Sequence, residues 1–128
     1  MKFERHECQP IDKPSEKQVR HQLSLLEGIN RSFASLQRSD LEFIQMAGGG
    51  LQCCLEHKNA EGKHFRAFQK NKIVPWDEPC ELSTPAGLIL LKPNEYFSIK
   101  QVIEAFVTYL LSQQFPKDIQ WRDVTDDF

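Results

Sequence analysis

The sequence lacks a long hydrophobic run. Nowhere in its 128 residues is there an apolar stretch of about 18 residues, the length that a membrane-spanning helix needs. The first seven residues, MKFERHE, also lack the apolar core of a secretory signal, so we expect a cytoplasmic protein with no membrane association. The apolar content of 40% and charged content of 27% are ordinary, and the length is sufficient for one hydrophobic core without disulfides.

The motifs of common enzymes and nucleotide sites are missing as well. We find no Gly-x-Ser-x-Gly elbow, no His-Glu-x-x-His motif and no dinucleotide-binding fingerprint. Three glycines at residues 48–50 are followed by Leu-Gln-Cys instead of the Lys-Ser or Lys-Thr of a phosphate loop, so they predict a hairpin turn. The net charge of −2, without a concentrated basic face, argues against direct nucleic-acid binding.

Cysteine usage points away from disulfides and metal binding. We expect four reduced thiols in the cytosol, at Cys8, Cys53, Cys54 and Cys80. Cys53 and Cys54 are adjacent in a predicted strand, so their side chains point to opposite faces. Neither the ligand spacing of a zinc motif nor the signature of a cysteine nucleophile surrounds them. We therefore predict a non-enzyme without cofactor or metal, and keep as an alternative a small metal- or ligand-binding enzyme that uses Cys53, Cys54 and His57.

Helical periodicity occurs twice. Ser15 and Ser98 each precede a glutamine by three residues, at Gln18 and Gln101, which is the arrangement of a capping box. Apolar residues at helical spacing follow both serines. The sequence therefore predicts two amphipathic helices.

The remaining segments predict a sheet. Alternating patterns favour strands at 41–46, 51–56 and 63–69, which form an antiparallel meander, and a last strand at 119–124. The continuous apolar run at 86–91 is typical of a central strand. Residues 30–39 are predicted to be a connection that has room for a helical turn, and residues 70–85 are predicted to be irregular. We expect an α+β fold, a mostly antiparallel sheet with two helices packed on one face, in a single domain over 15–128 preceded by a loosely ordered lead-in at 1–14.

Two segments of the C-terminal third form a distinctive pattern, NEYFSIKQVIEAF at 94–106 and FPKDIQW at 115–121. A helix that ends near a proline, followed by a short strand with a tryptophan, is similar to the C-terminal signature of the immunity-protein-one family of bacterial polymorphic-toxin systems. The likeness is clearest over 94–123 and extends more loosely back to residue 15. The segments 70–85 and 1–14 depart from it.

This resemblance implies an immunity protein that binds the C-terminal domain of a cognate toxin, often a nuclease or nucleic-acid deaminase, and blocks it in the bacterial cytosol. The alternative among non-catalytic proteins is an adaptor or secretion chaperone. A toxin that acts on nucleic acid usually carries a basic groove, which carboxylates beside an aromatic anchor would complement. Residues 76–128 contain 4 Lys and Arg against 9 Asp and Glu, a net −5. We predict toxin-binding residues in this acidic half: Trp76, Asp77, Glu78 and Glu81, with Asp123, Asp126 and Asp127 as second choice.

Overall fold

The computed structural model describes residues 1–26, 32–85, 87–112 and 114–127, and it has an α+β fold. The strands are β1 (Lys2–Arg5), β2 (Ile11–Asp12), β3 (Ser32–Gln37), β4 (Phe43–Gly49), β5 (Gln52–Lys58), β6 (His64–Phe68), β7 (Cys80–Thr84), β8 (Gly87–Leu91) and β9 (Gln120–Asp123), and the helices are α1 (Glu16–Ser24) and α2 (Ile99–Ser112). Seven strands form an antiparallel sheet in the order β2-β1-β3-β4-β5-β6-β9, while β7 and β8 form a separate two-stranded hairpin. The predicted fold class is confirmed. Neither helix in these ranges is long and apolar enough to cross a membrane.

Both helices begin with the predicted capping box. The Ser15 hydroxyl accepts from the Gln18 N–H at 3.1 Å, and the Gln18 side chain accepts from the Ser15 N–H at 2.9 Å. Ser98 and Gln101 repeat the arrangement at 3.2 and 3.0 Å. Each box satisfies backbone donors that have no partner within the helix, so the two serines determine where the helices start.

Strand alternation divides the sheet into two faces. One face packs against both helices in the main core, to which the sheet contributes Leu36, Ile44 and Leu55. Cys53 belongs to this core, whereas Cys54 lies in a second, smaller core on the opposite face with Val74, Leu82, Leu91 and Tyr96. The prediction that the adjacent cysteines face opposite ways is confirmed.

The glycine-rich reversal joins β4 to β5 and also ties the helices to the sheet. Gly49 pairs with Gln52, which leaves a two-residue turn. The Gly50 N–H donates to the Leu26 carbonyl at 3.1 Å after the end of α1, and the Gly50 carbonyl accepts from the Ile99 N–H at 2.7 Å at the start of α2. The predicted hairpin is confirmed, and its tip anchors one end of each helix.

Residues 1–14 are not a loose lead-in, and that prediction is wrong. Strand β1 lies inside the sheet between β2 and β3, with Phe3 opposite Leu36. The Phe3 side chain is fully buried in the main core. The segment has too few apolar residues to show a period, and one deeply buried ring holds it to the sheet.

The predicted connection at 30–39 contains a strand instead of a helical turn. Strand β3 pairs with β1 on one side and β4 on the other, which makes it an inner strand of the sheet. Its buried positions include the small residues Ser32, Ala34 and Ser35, which give little hydrophobic signal. Residues 30 and 31 lie outside the described residues.

The apolar run at 86–91 is not a central strand, which corrects a third prediction. Strand β8 pairs only with β7 among the described strands, and β7 itself falls in the segment predicted to be irregular. Leu88 and Leu90 are 66% and 61% exposed, whereas Leu91 is buried. A continuous apolar run indicates a strand but does not reveal what covers each face. Ala86 lies outside the described residues.

Candidate functional site

The β7–β8 hairpin lies on the face of the sheet that the helices leave uncovered. Leu82 and Leu91 on its inner side pack with Cys54 and Tyr96 in the second core. The alternate residues point away from the sheet, and we call Glu81, Ser83, Leu88 and Leu90 the outer face of the hairpin. In the strand register, Leu88 is opposite Ser83 and Leu90 is opposite Glu81. Two leucines thus lie next to each other in solvent, with a carboxylate across from one of them.

A buried charged cluster lies on the sheet face that the hairpin covers, and it contacts the hairpin. Glu56 is only 5% exposed, and its Oε2 accepts from Arg66 Nε at 2.8 Å. Its Oε1 accepts from Gln45 Nε2 at 3.1 Å and lies 3.2 Å from His64 Nε2. Arg66 also donates to the backbone carbonyl of Leu90 at 3.5 Å. The cluster therefore connects β5 and β6 of the sheet to β8, the hairpin strand that carries the exposed leucines.

The charge state of Glu56 follows from these contacts. Burial raises the pKa of the Glu56 carboxyl, but hydrogen bonds from His64 and Arg66 outweigh this and lower it overall. Glu56 is therefore ionised at neutral pH and paired with the guanidinium of Arg66. A carboxylate in this state is not a general acid.

A second buried carboxylate fixes the segment that follows β8. Glu95 is 1% exposed and accepts from the Lys92 N–H at 2.8 Å. Its other oxygen accepts from Nε and Nη2 of Arg122, at 3.2 and 2.8 Å. Because Arg122 is on β9, this contact joins the edge of the sheet to the base of the hairpin.

A groove of about 480 Å³ separates the hairpin from the sheet. Apolar groups form most of its lining, and its polar lining residues are Gln45 and Glu56 on the sheet and Thr84 on the hairpin. The remaining lining residues are Phe33, Met46, Ala47 and Cys54 of the sheet and Pro85 and Ile89 of the hairpin. Its volume and its few polar groups are those of a binding pocket for a small ligand or a single side chain.

Trp76, the predicted aromatic anchor, lies beside the base of the hairpin. Its ring is half-buried against Tyr96, with centroids 5.5 Å apart in an edge-to-face arrangement. The Tyr96 hydroxyl donates to the Cys80 carbonyl at 3.3 Å, which links this aromatic pair to the first residue of β7. The buried indole N–H has no acceptor among the described residues. Packing therefore holds Trp76 in place, and only part of the ring is accessible to a partner.

The predicted acidic residues near Trp76 lie on the same side of the molecule. Asp77 is exposed, with Oδ1 2.6 Å from Lys72 Nζ, and Glu78 is exposed next to it. Glu81 is on the outer face of the hairpin, opposite Leu90. These predicted residues are therefore all exposed in β7 or in the segment that precedes it.

The acidic C-terminal residues form a separate surface. Asp123 is opposite Phe65 in the β6–β9 register, whereas Phe68, where the chain leaves β6 toward the hairpin, is opposite Gln120. Asp123 accepts from the Thr125 hydroxyl at 2.6 Å and the Thr125 N–H at 2.9 Å, and these bonds lower its pKa. Asp126 and Asp127 follow, exposed, in a short 3-10 turn. Asp123 shares the face of Phe65, which is the helix side of the sheet, whereas Glu81 is on the hairpin that packs against the other side.

The residues of the alternative enzyme hypothesis do not converge. Cys53 is in the helix-side core, and burial raises the pKa of its thiol to about 12. Burial also raises the pKa of Cys54, on the other face of the sheet. Both thiols are therefore protonated at neutral pH and are poor nucleophiles. Among the described ranges, no three His, Cys, Asp or Glu side chains are grouped so that they could hold a metal ion.

His57 takes part in an aromatic cluster on the helix side of the sheet. The centroid of its ring lies 4.9, 4.4 and 4.5 Å from those of Phe65, Phe115 and Trp121. Burial lowers the pKa of His57 to about 4, so the ring is neutral at physiological pH. Its surroundings favour packing over proton transfer.

Leu88 and Leu90 were not among the predicted contact residues, although the sequence contains a signal for them. Residues 80–83 alternate apolar and polar side chains, and Pro85 and Gly87 follow within four positions. Alternation, a two-residue turn and a second short apolar segment are typical of a β-hairpin. A hairpin so short buries one face at most, which leaves alternate leucines of the second strand in solvent.

No protein-family model matches this chain, and the search of curated proteins finds no significant relative. The resemblance to the immunity-protein-one family therefore remains a prediction.

Proposed function

We propose that this chain is an immunity protein that binds a cognate toxin domain in the bacterial cytosol and blocks it without catalysis. The observation that carries the proposal is the outer face of the β7–β8 hairpin, where Leu88 and Leu90 lie side by side and exposed. The resemblance supplies the identity of the partner, and the hairpin supplies a surface suited to a protein.

The energetics of the two leucines support a protein contact. Burial of a leucine side chain contributes about 1.5–3 kcal/mol. Adjacent apolar side chains rimmed by polar groups are typical of protein-binding sites, and a few such residues dominate the affinity of an interface. Together, Leu88 and Leu90 can contribute enough to form the centre of a contact.

The charges around the hairpin support a basic partner. Glu81 is opposite Leu90 on the outer face, and Asp77 and Glu78 are exposed in the segment that leads into β7. Carboxylates at the rim of an interface accelerate association with a positively charged surface, while the buried centre determines the dissociation rate. A nucleic-acid-degrading toxin with a basic substrate groove has the complementary charge.

The first experiment is co-expression with the toxin domain encoded beside the gene, scored by survival and by co-purification. We expect the wild-type chain to protect the cells. The double variant Leu88→Ser/Leu90→Ser should bind about 100-fold more weakly, which corresponds to about 2.7 kcal/mol, and its thermal melt should change little because both side chains are already exposed.

The matched control is Leu51→Ser/Leu111→Ser. These leucines are 70% and 65% exposed, on the β4–β5 turn and near the end of α2, so the chemical change is the same at a different place. The control should bind as the wild type does. Undiminished protection by the hairpin variant, or no protection by the wild type, would contradict the proposal.

Charge reversals separate the two acidic surfaces. Asp77→Lys/Glu81→Lys should slow association and weaken its dependence on salt, with little effect on dissociation. Asp126→Lys/Asp127→Lys makes an equal change of charge on the C-terminal acidic surface. An effect confined to the second variant would place the contact at the C-terminal residues instead.

A further inference from the structure

We propose that the groove between the sheet and the β7–β8 hairpin binds a tyrosine-like side chain of the partner, an aromatic ring that ends in a neutral hydrogen-bond donor. The inference extends the proposed function, because it assigns a role to the inner side of the hairpin whose outer face carries the exposed leucines. It concerns a cavity that none of the predicted toxin-binding residues lines.

The walls of the groove favour a flat apolar group. Phe33 on β3 is 38% exposed and Ala47 is next to it across the β3–β4 pair. Pro85 and Ile89 line the opposite side from the hairpin. Aromatic rings pack well against such surfaces, and a volume of about 480 Å³ is ample for one aromatic side chain.

The polar end of the groove favours a hydrogen-bond donor. An ionised carboxylate has about four acceptor positions, and Glu56 uses three of them in its contacts with Gln45, His64 and Arg66. Its Oε2 accepts only from Arg66 among the described residues. The Gln45 amide uses one N–H toward Glu56, and its carbonyl oxygen has no partner in the same ranges. Acceptor capacity therefore exceeds donor capacity where the sheet lines the groove.

The charge of Arg66 decides between a neutral donor and a cation. Arg66 Nε lies 2.8 Å from Oε2 of Glu56, so the carboxylate is already neutralised by a fixed guanidinium. A lysine or arginine from the partner would bring a second positive charge close to the Arg66 guanidinium, and it would lose its hydration in the groove. A phenolic O–H supplies the hydrogen bond without the charge repulsion, and its loss of hydration costs much less than that of a cation.

The experiment is an NMR titration of the full chain with N-acetyl-tyrosinamide, in the absence of toxin. We expect chemical-shift changes at the amides of Ala47, Thr84 and Ile89, which line the groove. N-acetyl-phenylalaninamide, which lacks only the hydroxyl, should bind at least tenfold more weakly, and N-acetyl-lysinamide should bind more weakly still.

Two variants complete the test. Ala47→Leu adds three carbon atoms beside Phe33, so it should obstruct that side of the groove and weaken the shifts at Thr84 and Ile89. The same change at Ala60, exposed in the β5–β6 turn, should leave the shifts unchanged. Gln45→Met removes an amide that can accept the hydrogen bond. It should therefore weaken binding of N-acetyl-tyrosinamide and leave binding of N-acetyl-phenylalaninamide unchanged.

The possible outcomes separate this inference from the proposed function. Absence of groove shifts at saturating probe, equal binding of the phenylalanine amide, or tighter binding of the lysine amide would each overturn the inference. Because no toxin is present, a chain that binds the probe but fails to protect cells would refute the immunity function and leave the groove assignment standing.

Discussion

The β4–β5 reversal requires a glycine at position 48, and Gly48→Ala tests this. Gly48 has a φ of +104°, and a Cβ atom built there would lie 2.1 Å from the Gln52 carbonyl oxygen. That oxygen belongs to the backbone of the paired strand and is unable to rotate away. A left-handed conformation costs an L-residue about 1–3 kcal/mol, and relief of the clash requires the hairpin to open. We expect a total loss of about 4 kcal/mol.

Gly62→Ala is the matched control. Gly62 has a φ of +83°, but nothing lies within 4 Å of the position of its Cβ. This variant bears the conformational cost without the clash, and the reduced freedom of its unfolded chain offsets about 0.4–1 kcal/mol. A net loss of about 1 kcal/mol is expected, so the two variants should differ by about 3 kcal/mol.

Urea unfolding followed by circular dichroism measures the difference. With a slope of about 1–3 kcal/mol per M for a chain of this size, the midpoints of the two variants should lie about 1–3 M apart. Agreement of the two variants to within about 0.5 kcal/mol would show that the Gln52 carbonyl is not where the structure has it. Gly48→Ala should also weaken the proposed binding in the groove, because the same hairpin carries Ala47, which lines it.

Three further predictions concern stability. Burial lowers the pKa of His57 to about 4, below the unfolded value of about 6.5, so the unfolded chain takes up the proton first as the pH falls. Stability should decrease by about 1–2 kcal/mol between pH 6.5 and 4, with allowance for the partial exposure of the ring, and His57→Phe should remove this slope in urea titrations across that range. Phe3→Ala should cost about 3–4 kcal/mol by the same assay, because the ring is fully buried against Leu36; a loss below 1 kcal/mol would mean that the N-terminal strand is not part of the core. Ser98→Ala should lower the free energy of unfolding by about 1 kcal/mol through the lost cap of α2, and an unchanged value would exclude the hydrogen bond to the Gln101 N–H.

Local chemistry made much of the fold predictable. The capping pairs at Ser15 and Ser98 identify both helix starts, because a serine hydroxyl and a glutamine side chain satisfy backbone donors within one turn. The meander of β4, β5 and β6 follows from alternation and from the glycines between the first two strands. Each of these features depends on residues within a few positions of one another.

The errors have a common physical cause. Whether Phe3 is loose or buried depends on Leu36, which is distant along the chain. Whether the run containing Leu88 and Leu90 is central or exposed depends on which strands pair beside it and on which face the helices cover. Distant partners leave no local pattern, so the sequence alone predicts too little order for segments with few apolar residues and too much burial for a strongly apolar one.

The candidate site divides in the same way. The family resemblance together with composition predicts the acidic segment around Trp76 and Glu81 as the contact, and the lack of catalytic motifs favours a binding protein. The positions of Leu88 and Leu90, the pairing of Glu56 with Arg66, and the groove between hairpin and sheet required the folded molecule. Local preferences follow from covalent neighbours, whereas a binding surface consists of side chains that only the packing of distant segments brings together.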